Sequence, residues 1–173
     1  MRFLGLLTLG FCAVHGRVHL ARGHAEDLLW ACYVANLLIA AGLLMRWAGC
    51  NAVGTLWLAT GLPIWLLDLA GGGEFFPTSL LTHVGGLVTG LAGLRVMGVP
   101  DGTWWRAALG FLALIFASRW LTPPEANVNV AFRVWNGWER RFSSYSVYLS
   151  GLVSVHAAAF YGLEQALRKA VAP

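Results

Sequence analysis

Side chains able to do acid, base or nucleophilic chemistry are sparse in this chain. The stretch Leu62–Gly86 gathers three of them, Asp68, Glu74 and His83. If the flanking apolar runs are helices, depth follows from a rise of about 1.5 Å per residue. On that scale His83 lies roughly 9 Å below Pro77, Cys32 about 7–8 Å below Asp27, and Ser118 about 5 Å below Leu121. Thr60, roughly 15 Å below Ala70, and His156, about 16 Å below Tyr145, are deeper. His83, Cys32 and Ser118 thus share a layer, with Asp68 and Glu74 at its rim. A histidine beside a thiol or hydroxyl, oriented by a carboxylate, is the general arrangement of an activated nucleophile. His83 is the candidate base, Cys32 or Thr60 the candidate nucleophile, and Asp68 or Glu74 the orienting carboxylate. The alternative is a neutral histidine that hydrogen-bonds between helices and does no chemistry.

Two other groupings of histidines bear on cofactors. His83 and His156 lie on different segments, as axial ligands of a b-type haem would, but their inferred depths differ by about 7 Å. Cys12, His15, His19 and His24 cluster near the N-terminus, and His15 and His19 are four residues apart on one helical face, a spacing open to a soft divalent metal. That spacing is not a specific zinc pattern, and a histidine run at a membrane surface is the plainer reading. No cofactor and no metal are expected. Cys12, Cys32 and Cys50 are isolated, without CxxC spacing, so no disulfide framework is indicated.

The elements that must position these groups follow from composition. Of 173 residues, 58% are hydrophobic and 12% charged, and the mean hydropathy is +0.64. Soluble domains carry about 25% charged residues, so this chain reads as a single all-α membrane domain. Its predicted spans are 3–20, 27–45, 51–70, 77–97, 103–121 and 145–167, each close to the roughly 20 residues a bilayer crossing needs. The first, behind Arg2, reads as a retained helix or as a cleaved signal, which would leave five spans. Acids at Glu26 and Asp27 suit the first turn of the second helix, Pro63 is a candidate kink, and Pro77 a candidate helix start. Strands of a membrane barrel would alternate, and these runs do not.

Six spans put both termini on one side. Arginines and lysines divide evenly between the sides, and the turn Ala70–Pro77, which carries none, places both termini in the cytoplasm. The net charge of +4 comes from residues bordering apolar runs, which fits lipid headgroups and leaves no basic stripe for nucleic acid. In the connection 122–144, Phe132, Trp135, Trp138 and Phe142 recur at intervals of three and four. This fits either an interfacial amphipathic helix or an irregular aromatic-belt loop, and either would roof the bundle. Gly86 and Gly90, with Thr82 and Gly93 close to the same face, let a neighbouring helix approach closely, within the chain or across a homodimer.

LPIWLLDL, FPTSLLTHVGGLVTGLAGLR and GTWWRAALGF, in that order, resemble segments of the YwaF-like integral membrane proteins. The resemblance runs from Leu62 to the C-terminus. It implies six helices, cytoplasmic termini, a bacterial inner membrane location, and His83 as the catalytic histidine. It also implies a remote similarity to membrane enzymes that hydrolyse or transfer lipid acyl groups, including the androgen-dependent TFPI-regulating protein group. The family's cysteine before the aspartate is Leu67 here. Two functions are therefore expected in competition: an enzyme acting on acyl lipids, or a non-catalytic accessory or assembly subunit of a membrane complex.

Overall fold

The computed structural model describes residues 1–171. It contains six α-helices and, among the described residues, no strand: α1 (Arg2–Ala21), α2 (Ala31–Met45), α3 (Ala48–Ala70), α4 (Gly86–Met97), α5 (Thr103–Leu121) and α6 (Tyr145–Val171). Of these, α1, α3 and α6 are long and apolar enough to cross a membrane. Short turns join most neighbours, so successive helices run antiparallel. Both α1 and α3 end at the same face of the bundle where α2, α4 and α6 begin, here called the loop end.

The segment predicted as one helix over 27–45 is broken. Ala25–Leu29 forms a 3₁₀ turn, Trp30 is extended (φ −56°, ψ 140°), and α2 starts only at Ala31. Asp27 causes the break: its carboxylate accepts from Trp30 Nε1 at 3.0 Å and lies 2.8 Å from His19 Nδ1 on α1. Pro77 lies in a turn, and the helical path beyond it includes a π turn, Leu81–Gly85, before α4. Pro63 is carried inside an uninterrupted α3 with its ring on an exposed face.

Polarity is distributed inside out. Thr8, Asn36, Asn51, Thr55, Thr82, Thr89 and Glu164 are buried, while Leu66, Leu67, Val88, Leu109, Trp120 and Val155 face outward. In a bilayer the apolar exterior is solvated by acyl chains, and interior polar groups hydrogen-bond across helices. Those cross-links are present. Thr8 donates to Thr89 Oγ1 at 2.9 Å, Asn51 Nδ2 to the Gly90 carbonyl at 3.0 Å, and Trp57 Nε1 to the Ala107 carbonyl at 2.9 Å. Glu164 of α6 accepts from the Gly102 and Trp104 amides at 3.1 and 2.6 Å, capping α5. Around α3 an apolar core joins Ile39, Leu43, Leu56, Leu58, Phe111, Ile115 and Phe160.

The glycine face of α4 is filled within the chain. Gly86 lies against Asn36 and Leu58, Gly90 against Thr55 and Ile39, and Gly93 against Asn51 and Leu43. The amide oxygens of Asn36 and Asn51 lack a conventional donor. Asn36 Oδ1 lies against the place a Cβ on Gly86 would take, and Asn51 Oδ1 lies 2.9 Å from the corresponding place on Gly93, where a glycine Cα–H can act as a weak donor at a helix contact. Within the chain, the small residues of α4 are used for this packing.

Candidate functional site

A cavity of about 380 Å³ opens at the loop end. Specific pockets commonly hold about 300–1,000 Å³ and combine apolar walls with a few converging polar groups. Here Trp57, Ile64, Trp65, Phe111, Leu152 and Phe160 supply walls, and Cys32, Thr60, His83 and His156 are among the polar members. Asp68 and Glu74 also border it. All five sequence-predicted site residues thus reach one cavity, although their roles differ from those expected.

His83 projects from the π turn, 6% exposed, with its ring stacked on Trp65 at 4.5 Å and 11°. Its Nδ1 lies 3.0 Å from the Ser79 carbonyl. A carbonyl only accepts, so Nδ1 carries the proton and Nε2 of the neutral ring keeps a lone pair. A backbone oxygen therefore orients His83. Asp68 and Glu74 make no hydrogen bond to it among the described residues: Asp68 folds over Gly73, and Glu74 pairs with Arg22 at 2.8 Å. Both expected orienting carboxylates are replaced in that role.

Cys32 lies in the first turn of α2, and Asn129 of the 122–144 connection sets where that helix begins. Asn129 Oδ1 accepts from the Ala31 amide at 2.8 Å, while Nδ2 donates to the Leu29 carbonyl at 2.7 Å and Ser118 Oγ at 2.8 Å. Ser118, expected beside His83, is instead spent on this clamp and on the Leu114 carbonyl. The connection itself is irregular, with 3₁₀ turns at Val128–Val130 and Glu139–Arg141 and no amphipathic helix. Asn127, Asn129 and Val130 have positive φ, at 46°, 53° and 52°. Such a backbone is unusual for a β-branched residue and persists only where its surroundings over-determine it. Tyr145, whose hydroxyl donates toward the Val130 and Ala131 carbonyls, supplies part of that constraint. Val130 and Trp135 then roof the cavity.

Thr60 donates to the Leu56 and Trp57 carbonyls, both at 3.1 Å, so its proton belongs to the α3 backbone. Cys32 lines the same cavity. Leu67 is 71% exposed and does not line the cavity, so a cysteine there would face away from His83. His156 holds the Leu152 carbonyl through Nδ1 at 2.8 Å and stacks on Phe111.

Sequence reasoning missed a second polar array. His19 Nδ1 meets Asp27, His19 Nε2 lies 3.2 Å from His15 Nε2, and His15 Nδ1 lies 2.9 Å from Thr78 Oγ1. The spacing of His15 and His19 was a signal; their partners on the 3₁₀ turn and beyond α3 were not. Cys12 is outside this array, its carbonyl accepting from Tyr33, and His24 faces Glu26. No group of three or more metal-ligating side chains is assembled among the described residues.

A polar vestibule outside the cavity shares His19, Asp27, Glu74 and Phe76 with it. There Glu26 is held below the usual carboxylate range by its own backbone amide first and then by His24, and Arg22 is raised by its hydrogen bond to Glu74. Comparison with known proteins finds no matching family, curated protein or solved structure.

Proposed function

We propose that this chain is a six-span membrane enzyme, with both termini in the cytoplasm, that hydrolyses or transfers the acyl group of a lipid ester. The observation that carries this reading is one apolar-walled cavity lined by both Cys32 and a neutral His83 oriented by the Ser79 carbonyl. Aromatic and aliphatic walls suit an acyl chain, and an ionisable group inside a membrane is costly enough to argue for use. The inside-out polarity supports burial in lipid, while the resemblance to YwaF-like proteins bears on the fold more than on the activity, since Leu67 stands where that family carries a cysteine. The glycine face of α4 is filled by α2 and α3.

In this reaction His83 Nε2 removes the Cys32 thiol proton, and the thiolate adds to the ester carbonyl. The carbon–oxygen bond to the alcohol breaks, and His83 returns the proton to the departing alkoxide. The thioester on Cys32 is then opened by water or by a lipid hydroxyl, regenerating the thiol. The test is the lipid profile of a deletion strain complemented with wild type, Cys32→Ala or His83→Ala. Accumulation of one acyl lipid with both variants is expected; three identical profiles would sink the reading.

A further inference from the structure

His15 and His19 are four residues apart on α1, and both line the cavity. Their rings stand nearly perpendicular, at 83°, and their Nε2 atoms converge to 3.2 Å. The far nitrogen of each ring is held from another part of the chain. His19 Nδ1 meets the Asp27 carboxylate at 2.8 Å, and His15 Nδ1 meets Thr78 Oγ1 at 2.9 Å. Asp27 is itself fixed by Trp30 Nε1, 3.0 Å from its other oxygen. A carboxylate only accepts, so a neutral His19 carries its proton on Nδ1 and turns a bare Nε2 toward His15. The Thr78 hydroxyl can donate or accept, so it also satisfies the His15 tautomer protonated at Nδ1. In that tautomer two lone pairs face each other across 3.2 Å, and a cation between them turns a repulsion into two bonds. Packing alone does not require both far nitrogens to be held so that both near ones converge.

We propose that His15 and His19 are the protein ligands of an open site for a divalent first-row transition ion of the zinc type. Nitrogens each about 2.0–2.1 Å from zinc and 3.2 Å apart subtend about 100–106° at the metal, between the octahedral and tetrahedral angles. Imidazole donors suit zinc, copper and nickel, whereas magnesium and calcium take oxygen. A hydrogen-bond partner on the other ring nitrogen fixes the tautomer and raises the basicity of the ligating one, which is the part of Asp27 and Thr78. The vestibule gives an entry path of the right sign: Glu26, Asp27, Glu74 and Glu125 line it against a single arginine, Arg22. Two histidines are too few for a closed structural centre, so the remaining positions go to water or to an oxygen ligand entering the cavity. This site is distinct from the acyl chemistry assigned to Cys32 and His83.

The test titrates zinc into full-length protein that carries no histidine tag, purified in detergent and first stripped with a chelator. Wild type is expected to bind one ion per chain and to unfold at a higher temperature when loaded, because an ion held only by the folded state stabilises it. His15→Ala and His19→Gln should lose both effects, although the glutamine amide can still donate to Asp27. Asp27→Asn keeps both ligands and should weaken binding by about 10–100-fold. Excess magnesium or calcium should not displace the zinc. In ¹⁵N-histidine spectra the His15 proton should move from Nε2 to Nδ1 on loading, while His19 stays protonated at Nδ1. X-ray absorption of the loaded wild type should show imidazole nitrogen at about 2.0–2.1 Å. Sulfur at about 2.3 Å would assign the ion to a cysteine and overturn the site, a result that needs no variant to fold. Zinc bound equally by wild type and both histidine variants, zinc bound by none of them, or a His15 spectrum indifferent to zinc would overturn it as well. None of these measurements uses acyl turnover, so this site and the acyl-enzyme stand or fall separately.

Discussion

Asn36 on α2 donates to the Thr82 carbonyl at 2.9 Å, and the same Nδ2 donates to the Cys32 carbonyl at 2.7 Å. Its side chain thus links the turn that bears Cys32 to the residue that precedes His83. Helix α2 and the π turn are held in register by one buried amide, and with them the two groups assigned to acyl chemistry.

Replacing Asn36 therefore has a graded outcome. Asn36→Leu removes both donors and leaves the Thr82 carbonyl without this partner, a loss of about 1–3 kcal/mol. Asn36→Asp keeps the shape but places a charge where no cation pairs with it, and should cost about 3–5 kcal/mol unless the acid stays protonated. Thermal unfolding in one detergent, read beside acyl-ester turnover, checks the order: wild type, then Leu, then Asp.

Asn129 is the matching control from the roof of the cavity. Asn129→Ala orphans the Ala31 amide and the Leu29 carbonyl, and should cost about 2–3 kcal/mol. Because those groups define where α2 begins, turnover should fall even below the unfolding temperature. Hydrogen exchange at residues 29–33 locates the effect: faster exchange there is expected, and exchange unaltered there would contradict the clamp.

Gly90→Ala brings a methyl group into the Thr55 side chain and should destabilise the chain by about 1–3 kcal/mol. Adding Thr55→Ala makes room, so the double variant should be less destabilised than the sum of the single changes. Oligomeric state in detergent should not respond to Gly90→Ala. A selective loss of dimer would instead place this face between chains.

The six-span reading fixes which loops share a side of the membrane. In a chain without its native cysteines, Glu125→Cys should react with an impermeant maleimide added outside intact cells, and Asp101→Cys only after lysis. Labelling of both from outside would contradict the arrangement.

The apolar runs made all six helices legible, because their lengths and flanking turns depend on local sequence. Tertiary contacts decided the rest. The acids of 25–29 read as a helix start, yet Asp27 turns toward His19, 8 residues earlier, and breaks the helix at Trp30. Depth arithmetic placed Cys32 and His83 at one level, and both line one cavity. The same arithmetic could not tell that Ser118 rotates toward Asn129 or that His83 takes a backbone carbonyl as its partner. The His15–His19 pair was visible as a spacing, but its partners Thr78 and Asp27 approach from different parts of the chain.

The π turn at Leu81–Gly85 amounts to one residue more than an α-helix would use over the same path. Each helical residue advances the azimuth by about 100°, so that surplus determines which side of the bundle everything upstream addresses. Deleting one residue from the turn would straighten it and swing the Ser79 segment by about that angle relative to Gly86 and Gly90. The glycine contacts could survive while His83 lost either its carbonyl or its cavity. Chain length at this point, independent of side-chain chemistry, is therefore a determinant of whether the site exists.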